Sequence, residues 1–195
     1  MDKVWLALLA TLLGLVAFLP YLRATMTGTV RPHVLSWTIW GVTTSIVFLA
    51  QLQAGAGYGA WPVGASALIA FSIAAIAFLK RADIHVSRTD WLFFVVALSA
   101  IPLWQVTDSP LLAVIIVTTV DVLGFGPTLR KALVRPESES ALFFFITVLR
   151  NLLILAALES YSVTTILFPI AIGSMAFIVM SVVLLGHRLK RRPSL

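Results

Sequence analysis

The chain has 195 residues, of which 60% are hydrophobic and only 11% charged, whereas soluble domains are about a quarter charged; a soluble fold of this composition would lack the polar groups to cover its surface. The net charge of +6 does not point to nucleic acid, because the basic residues lie between apolar runs and not along one polar face. Cysteine is absent, which excludes disulfides and thiolate metal sites.

A membrane-spanning helix takes about 20 apolar residues. Runs of that kind fall at 4–22, 33–53, 60–80, 90–106, 110–128, 141–158 and 162–186. The expected fold is therefore an all-α integral membrane protein of seven transmembrane helices, with the lipid bilayer as its first partner and no room for a soluble domain. The first run ends in Phe18-Leu19-Pro20-Tyr21, without the small residues of a signal-peptide cleavage site, so it is expected to remain as a helix. Pro32 and Pro136 lie near helix starts, where the missing N–H does no harm. That placement puts Glu137 and Glu139 in the first turn of the sixth helix, where carboxylates suit the helix dipole. Pro62, Pro102 and Pro169 fall inside runs.

Orientation follows from the basic residues of the loops. Arg23, Arg31, Lys80, Arg81, Arg88, Arg130, Lys131, Arg135, Arg188, Lys190, Arg191 and Arg192 share one side; Lys3 alone lies on the other, and Arg150 is within the sixth run. The N-terminus is expected outside and the C-terminus in the cytoplasm, in a plasma membrane of bacterial inner-membrane type.

The chain also repeats itself. Pro20 and Pro127, Pro62 and Pro169, and Lys80-Arg81 and His187-Arg188 share an offset of 107 residues. Arg31-Pro32 and Arg135-Pro136, with Ser36 and Ser140, share an offset of 104. Three helices, one extra crossing and three more give two parallel repeats about an axis along the membrane normal: a first three-helix bundle at 1–83, a linker helix at 84–108 and a second bundle at 109–190.

This 3+1+3 order, with a proline near the cytoplasmic end of the first helix of each bundle, resembles the PQ-loop superfamily, which includes the SWEET sugar transporters. Pro20 and Pro127 match the proline of its motif, while Tyr21 and Thr128 replace the glutamine; Ser36 and Ser140 match the later serine. The resemblance implies two bundles rocking about a shared site. Asparagines that SWEET-like proteins carry in the last helix of each bundle have no counterpart here, which weakens a sugar assignment.

Two ionisable residues lie deep in the apolar runs, Asp121 and Arg150, and such groups inside lipid are expensive and commonly functional. Both are expected to face the interior, either pairing as a structural bridge or serving binding and gating. The first repeat has Gly14 and Ile46 at the matching positions, so the polar centre is asymmetric. Asn151, Thr147 and Thr118 lie beside these charges. On the second helix, His33, Trp37, Trp40, Thr44 and Gln51 fall within an arc of about 60° at 3.6 residues per turn, a stripe expected to turn inward. Trp37 and Trp40 offer stacking surfaces, with an interfacial belt role competing most strongly at Trp37. Pro20, Pro127, Pro62 and Pro169 are candidate hinges, and tighter packing is the competing reading.

No HExxH, nucleophile elbow, phosphate loop or metal-ligand cluster is present, and His33, His85 and His187 lie on separate elements. An enzyme is not expected, nor a metal or other cofactor. The expected function is transport of a small polar metabolite, as facilitator or proton-coupled carrier, by alternating access between two bundles. A membrane receptor of the same fold is the alternative, and a homo-oligomer is compatible with either.

Overall fold

A computed structural model describes residues 2–82, 84 and 86–190. His85 and Arg191-Arg192 of the basic tail lie outside the described residues. Seven α-helices follow in order: α1 (Lys3–Thr27), α2 (Val34–Gln53), α3 (Trp61–Leu79), α4 (Arg88–Thr107), α5 (Pro110–Val134), α6 (Ala141–Ala157) and α7 (Val163–Lys190). Short 3-10 turns at Gly57–Ala60 and Pro136–Ser138 precede α3 and α6. Six of the helical segments are long and apolar enough to cross a bilayer, which makes this a multi-pass membrane protein. The exception is α6: its 17 residues reach about 25 Å at 1.5 Å per residue, short of the roughly 30 Å hydrocarbon core.

Several helices outrun their apolar stretches. α1 continues through Arg23 to Thr27 and α5 through Arg130 and Lys131 to Val134, because long basic side chains lay their stems on apolar surface and keep their charges in water. Both helices have 25 residues, with bounds displaced by 107 and a proline inside at the corresponding place, Pro20 or Pro127.

Two local expectations are corrected. Pro136 opens a 3-10 turn and not α6, so Glu137 and Glu139 lie ahead of that helix. Ser140 is its N-cap, accepting from the Phe143 amide at 3.2 Å, while Glu139 is 2.9 Å from Lys131. Pro62, expected inside a helix, is in the first turn of α3, where proline breaks no hydrogen bond.

Packing follows a regular order. α3 packs against α1 and α2, and α7 against α5 and α6; α1 also packs on α6, α2 on α5, and α4 covers α2 and α5. At one end, hereafter the N-terminal end, Lys3 Nζ donates to the Leu158 carbonyl. There the α2–α3 and α6–α7 turns join, with the Glu159 amide donating to the Ala56 carbonyl at 3.0 Å. Backbones approach closely here: a Cβ on Gly59 would lie 2.9 Å from the Leu158 backbone. Gly57 has φ +59° with Glu159 against it, a backbone conformation open to glycine without steric penalty.

The hydrophobic core changes character along the helix axes. In the N-terminal half one cluster draws on all seven helices: Ala10, Val47, Val63, Ala100, Val114, Ile154 and Phe168 are among its members. In the opposite half the clusters are separate. Trp37, Ala70, Ile73 and Ala74 pack with Phe18, Tyr21 and Leu22, all from α1–α3. Ala132, Phe144, Ala176, Val179 and Val183 draw only on α5–α7. A third small cluster, Ile39, Ala97 and Val120, seats α4.

Candidate functional site

Between these two halves lies a layer of buried polar side chains. Asp121, on α5, is 5% exposed, and its Oδ1 accepts from Thr43 Oγ1 of α2 at 3.0 Å. Thr43 in turn lies 3.1 Å from the Trp40 carbonyl. Thr118, one turn before Asp121, is buried with no partner for its hydroxyl.

Arg150, on α6, is 9% exposed and reaches past α1 to α3. Its Nη2 donates to the Pro62 carbonyl at 2.6 Å and to the Ser66 hydroxyl. The path is open because α1 carries glycine there: a Cβ on Gly14 would lie 3.0 Å from Arg150 Nε. Arg150 Nε has no hydrogen-bond partner. Asn151 Nδ2 donates to the Thr147 carbonyl at 2.8 Å, leaving its Oδ1 unpartnered, while Gly173 of α7 packs on its Cβ.

Asp121 and Arg150 therefore meet the expectation of burial but do not pair. Among the described residues, neither has an oppositely charged group within 4.0 Å. Each is held by neutral groups on a different interface, Asp121 at α2–α5 and Arg150 at α1–α3–α6. Buried polar atoms without partners are rare in folded proteins, and Gln51, Thr118, Arg150 and Asn151 each have one.

The stripe on α2 divides. Gln51 is 0% exposed and donates through Nε2 to the Thr165 carbonyl of α7 at 2.8 Å, so it belongs to the sealed N-terminal end. Thr44 is buried and returns its hydroxyl to the Trp40 carbonyl at 2.6 Å. Trp37, for which a lipid-interface role was the stronger competitor, is 8% exposed and Trp40 is 38% exposed. Trp37 is enclosed by Phe18, Tyr21 and Trp40, at ring-centroid distances of 6.1, 5.1 and 5.0 Å. Phe18 continues the series to Phe143 of α6 at 5.6 Å. These aromatic rings lie on the side of the polar layer away from the N-terminal end. His33 is 2.8 Å from the Ser36 hydroxyl and 3.9 Å from Asp90 of α4, which places it at that far end.

Pro20, Pro127 and Pro169 are inside helices; Pro62 instead offers its carbonyl to Arg150. Sequence reasoning missed Thr43 and Ser66. Thr43 lies about 90° from the middle of the α2 stripe at 3.6 residues per turn, and α2 is buried on several faces because α3, α4 and α5 surround it. Ser66 has no signal in the sequence, since its role depends on a side chain from α6.

Two surface cavities formed by the described residues lie elsewhere. One of about 230 Å³ is lined by Thr25, Gly28, Val30, Arg31, Lys80 and Ala82. The other, about 820 Å³, runs along α5 from Gly126 to Arg135. Neither touches Asp121 or Arg150. Among the described residues no group of three His, Asp or Glu side chains is placed to hold a metal. No family model matches the chain, and no curated protein or solved structure is significantly similar to it.

Proposed function

We propose that the protein is a transporter of a small polar metabolite, working by alternating access between a bundle of α1–α3 and a bundle of α5–α7, joined by α4. The reading keeps the PQ-loop resemblance as its architecture, takes α6 as a seventh crossing, and sets the N-terminal end outside.

The observation that carries it is the change of core along the helix axes. On one side of the polar layer a single apolar cluster binds all seven helices together. On the other side two larger clusters each stay within one triplet; the triplets meet there only through the small Ile39–Ala97–Val120 cluster of α2, α4 and α5 and the Phe18–Phe143 ring contact of α1 and α6, among the described clusters and ring pairs. A pair of rigid bodies closed at one end and separable at the other is what alternating access requires. The packing order supports the same division, since α3 and α7 each sit between the other two helices of their triplet. Between the two halves, buried charges and unpartnered polar atoms provide a site that can take over a solute's hydration.

The N-terminal end must open during the cycle, and it can be locked. An ideal Cβ on Gly55 lies 3.5 Å from Ser160 Cβ, within disulfide range, and no native cysteine interferes; Gly55 has φ +76°, so a cysteine there carries backbone strain that the single variant measures. The double variant Gly55→Cys/Ser160→Cys in liposomes should lose solute flux on oxidation and regain it with dithiothreitol, while each single variant stays active. Flux that persists at the wild-type rate through a fully formed disulfide would remove alternating access as the mechanism.

A further inference from the structure

We propose that the cavity between the ends of α1 and α3 binds a phosphate ester, its anionic oxygens held by Arg31 and Lys80. The proposal is independent of the transport reading.

The cavity, of about 230 Å³, opens where α1 turns toward α2 and where α3 ends. Arg31 lines it from the turn and Lys80 from the C-cap of α3. Among the described residues neither has an acidic group within 4.0 Å, and no lining residue is acidic. The bias of Lys and Arg to one side of a membrane accounts for basic residues at this end. It does not account for two of them lining one cavity.

Nor are these charges needed as helix caps. In the last turn of α1, the Thr25 carbonyl accepts from the Gly28 amide at 3.1 Å and the Ala24 carbonyl from Val30 at 3.2 Å. In α3 the Phe78 and Ala77 carbonyls accept from the Arg81 and Ala82 amides, both at 2.9 Å. Basic side chains near a helix end commonly serve such carbonyls, but here the backbone already does so.

The chain contains its own control. The turn after α5 corresponds to this one through the offset of 104 residues between Arg31-Pro32 and Arg135-Pro136. That turn supplies acid, and Glu139 pairs with Lys131 at 2.9 Å. It also packs on α7: a Cβ on Gly186 would lie 2.7 Å from Pro136 Cβ. The turn at 28–33 has no acidic residue, and a Cβ on Gly28 would meet nothing within 4 Å. Protein fills and neutralises one position, while the other keeps its charge and its room for an anion from outside. Phosphate fits that chemistry, since arginine offers it paired N–H donors and lysine a point charge. Basic pockets on the cytoplasmic side of membrane proteins take lipid head groups in this way. A phospholipid headgroup and a free phosphate ester share the chemistry.

Thermal unfolding of the full-length chain separates the two sources, in detergent at fixed ionic strength and with lipid removal checked by phosphorus analysis. The probes are dioctanoyl phosphatidylglycerol, uncharged dioctanoylglycerol, glycerol 3-phosphate and inorganic phosphate. A rise with phosphatidylglycerol alone identifies a lipid headgroup; a rise with glycerol 3-phosphate or phosphate identifies a free anion. In either case Arg31→Gln and Lys80→Gln should each weaken the response about fivefold, and Arg130→Gln, at the other cavity, should leave it unchanged. Without any probe, Lys80→Gln should unfold no lower than wild type, because it relieves repulsion between like charges. A lower temperature would make Lys80 a structural contact and overturn the charge argument. The proposal also falls if no phosphate probe raises the unfolding temperature, or if the rise survives the double variant Arg31→Gln/Lys80→Gln. A rise that Arg130→Gln weakens equally would reduce it to general surface charge and overturn the site.

Discussion

Thr43 and Gly14 show how single residues set the polar layer. Among the described residues Thr43 supplies the one hydroxyl donated to Asp121, and hydrogen bonds to charged groups contribute about 1.5–3 kcal/mol. Thr43→Val keeps the shape and removes the donor, so thermal unfolding should shift down by roughly that free energy, with Thr43→Ser near wild type. An unchanged unfolding temperature for Thr43→Val would mean that Asp121 finds another donor at no cost. Gly14 is needed for space and not for backbone freedom. A methyl at 3.0 Å from Arg150 Nε is tight enough to shift the guanidinium by a few tenths of an ångström. A leucine there would expel it from Pro62 and Ser66. Gly14→Ala should therefore lower stability by about 1 kcal/mol and Gly14→Leu by several, as overpacked cores do; equal unfolding temperatures for the two would contradict this packing. Burial of Asp121 and Arg150 was legible from the sequence, because a lone charge in an apolar run has few tolerable places. Their partners were not legible, since Thr43 and Ser66 are polar residues among many and only the fold brings them into reach.

Among the elements, the four prolines once grouped as hinges separate into two kinds. Pro62 is in the first turn of α3, where alanine restores no broken bond; Pro62→Ala should change stability by less than about 1 kcal/mol. Pro20, Pro127 and Pro169 lie inside helices and each removes an internal hydrogen bond. If those breaks allow the bundles to rock, alanine at Pro20 or Pro127 should stiffen the helix and slow uptake several-fold without unfolding the protein. Uptake unaffected by both substitutions would assign these prolines to packing alone. The equal treatment of the prolines by sequence failed because an apolar run does not reveal where a helix begins. The apolar run opens with Ala60-Trp61-Pro62, and only the structure shows that α3 starts at Trp61, which puts Pro62 in its first turn. The same blindness hid the 3-10 turn at Pro136–Ser138, where a proline followed by a glutamate reads like a helix start.

For the molecule as a whole, the sealed N-terminal end depends on glycines that admit a second backbone. Gly59→Ala would set a methyl 2.9 Å from the Leu158 backbone, and backbone cannot turn aside as a side chain can. The two turns should separate, with faster amide hydrogen exchange at Ala56 and Glu159 than in wild type; unaltered exchange would show that the seal does not rely on this contact. Orientation is open to the same kind of test, because the chain has no cysteine to remove. With the N-terminus outside, Glu159→Cys should react with an impermeant maleimide added to intact cells and Lys80→Cys should not. The reverse pattern would invert the proposed topology.

Hydrophobic run length, the side on which Lys and Arg accumulate and the 107-residue spacing of the prolines were sufficient to identify an all-helical chain built for a bilayer and to select its two deep charges. These are properties of local composition, and a lipid environment reads composition directly, since each stretch must be apolar enough to cross or polar enough to remain outside. The tertiary structure alone decided that Asp121 and Arg150 do not pair, that Trp37 is enclosed while Trp40 is open, and that one core cluster draws on all seven helices at one end while smaller clusters replace it toward the other. Each of these depends on which faces of neighbouring helices meet, through contacts such as Arg150 across Gly14 to Ser66. Residues so distant in the chain carry no shared local pattern from which the meeting could be read.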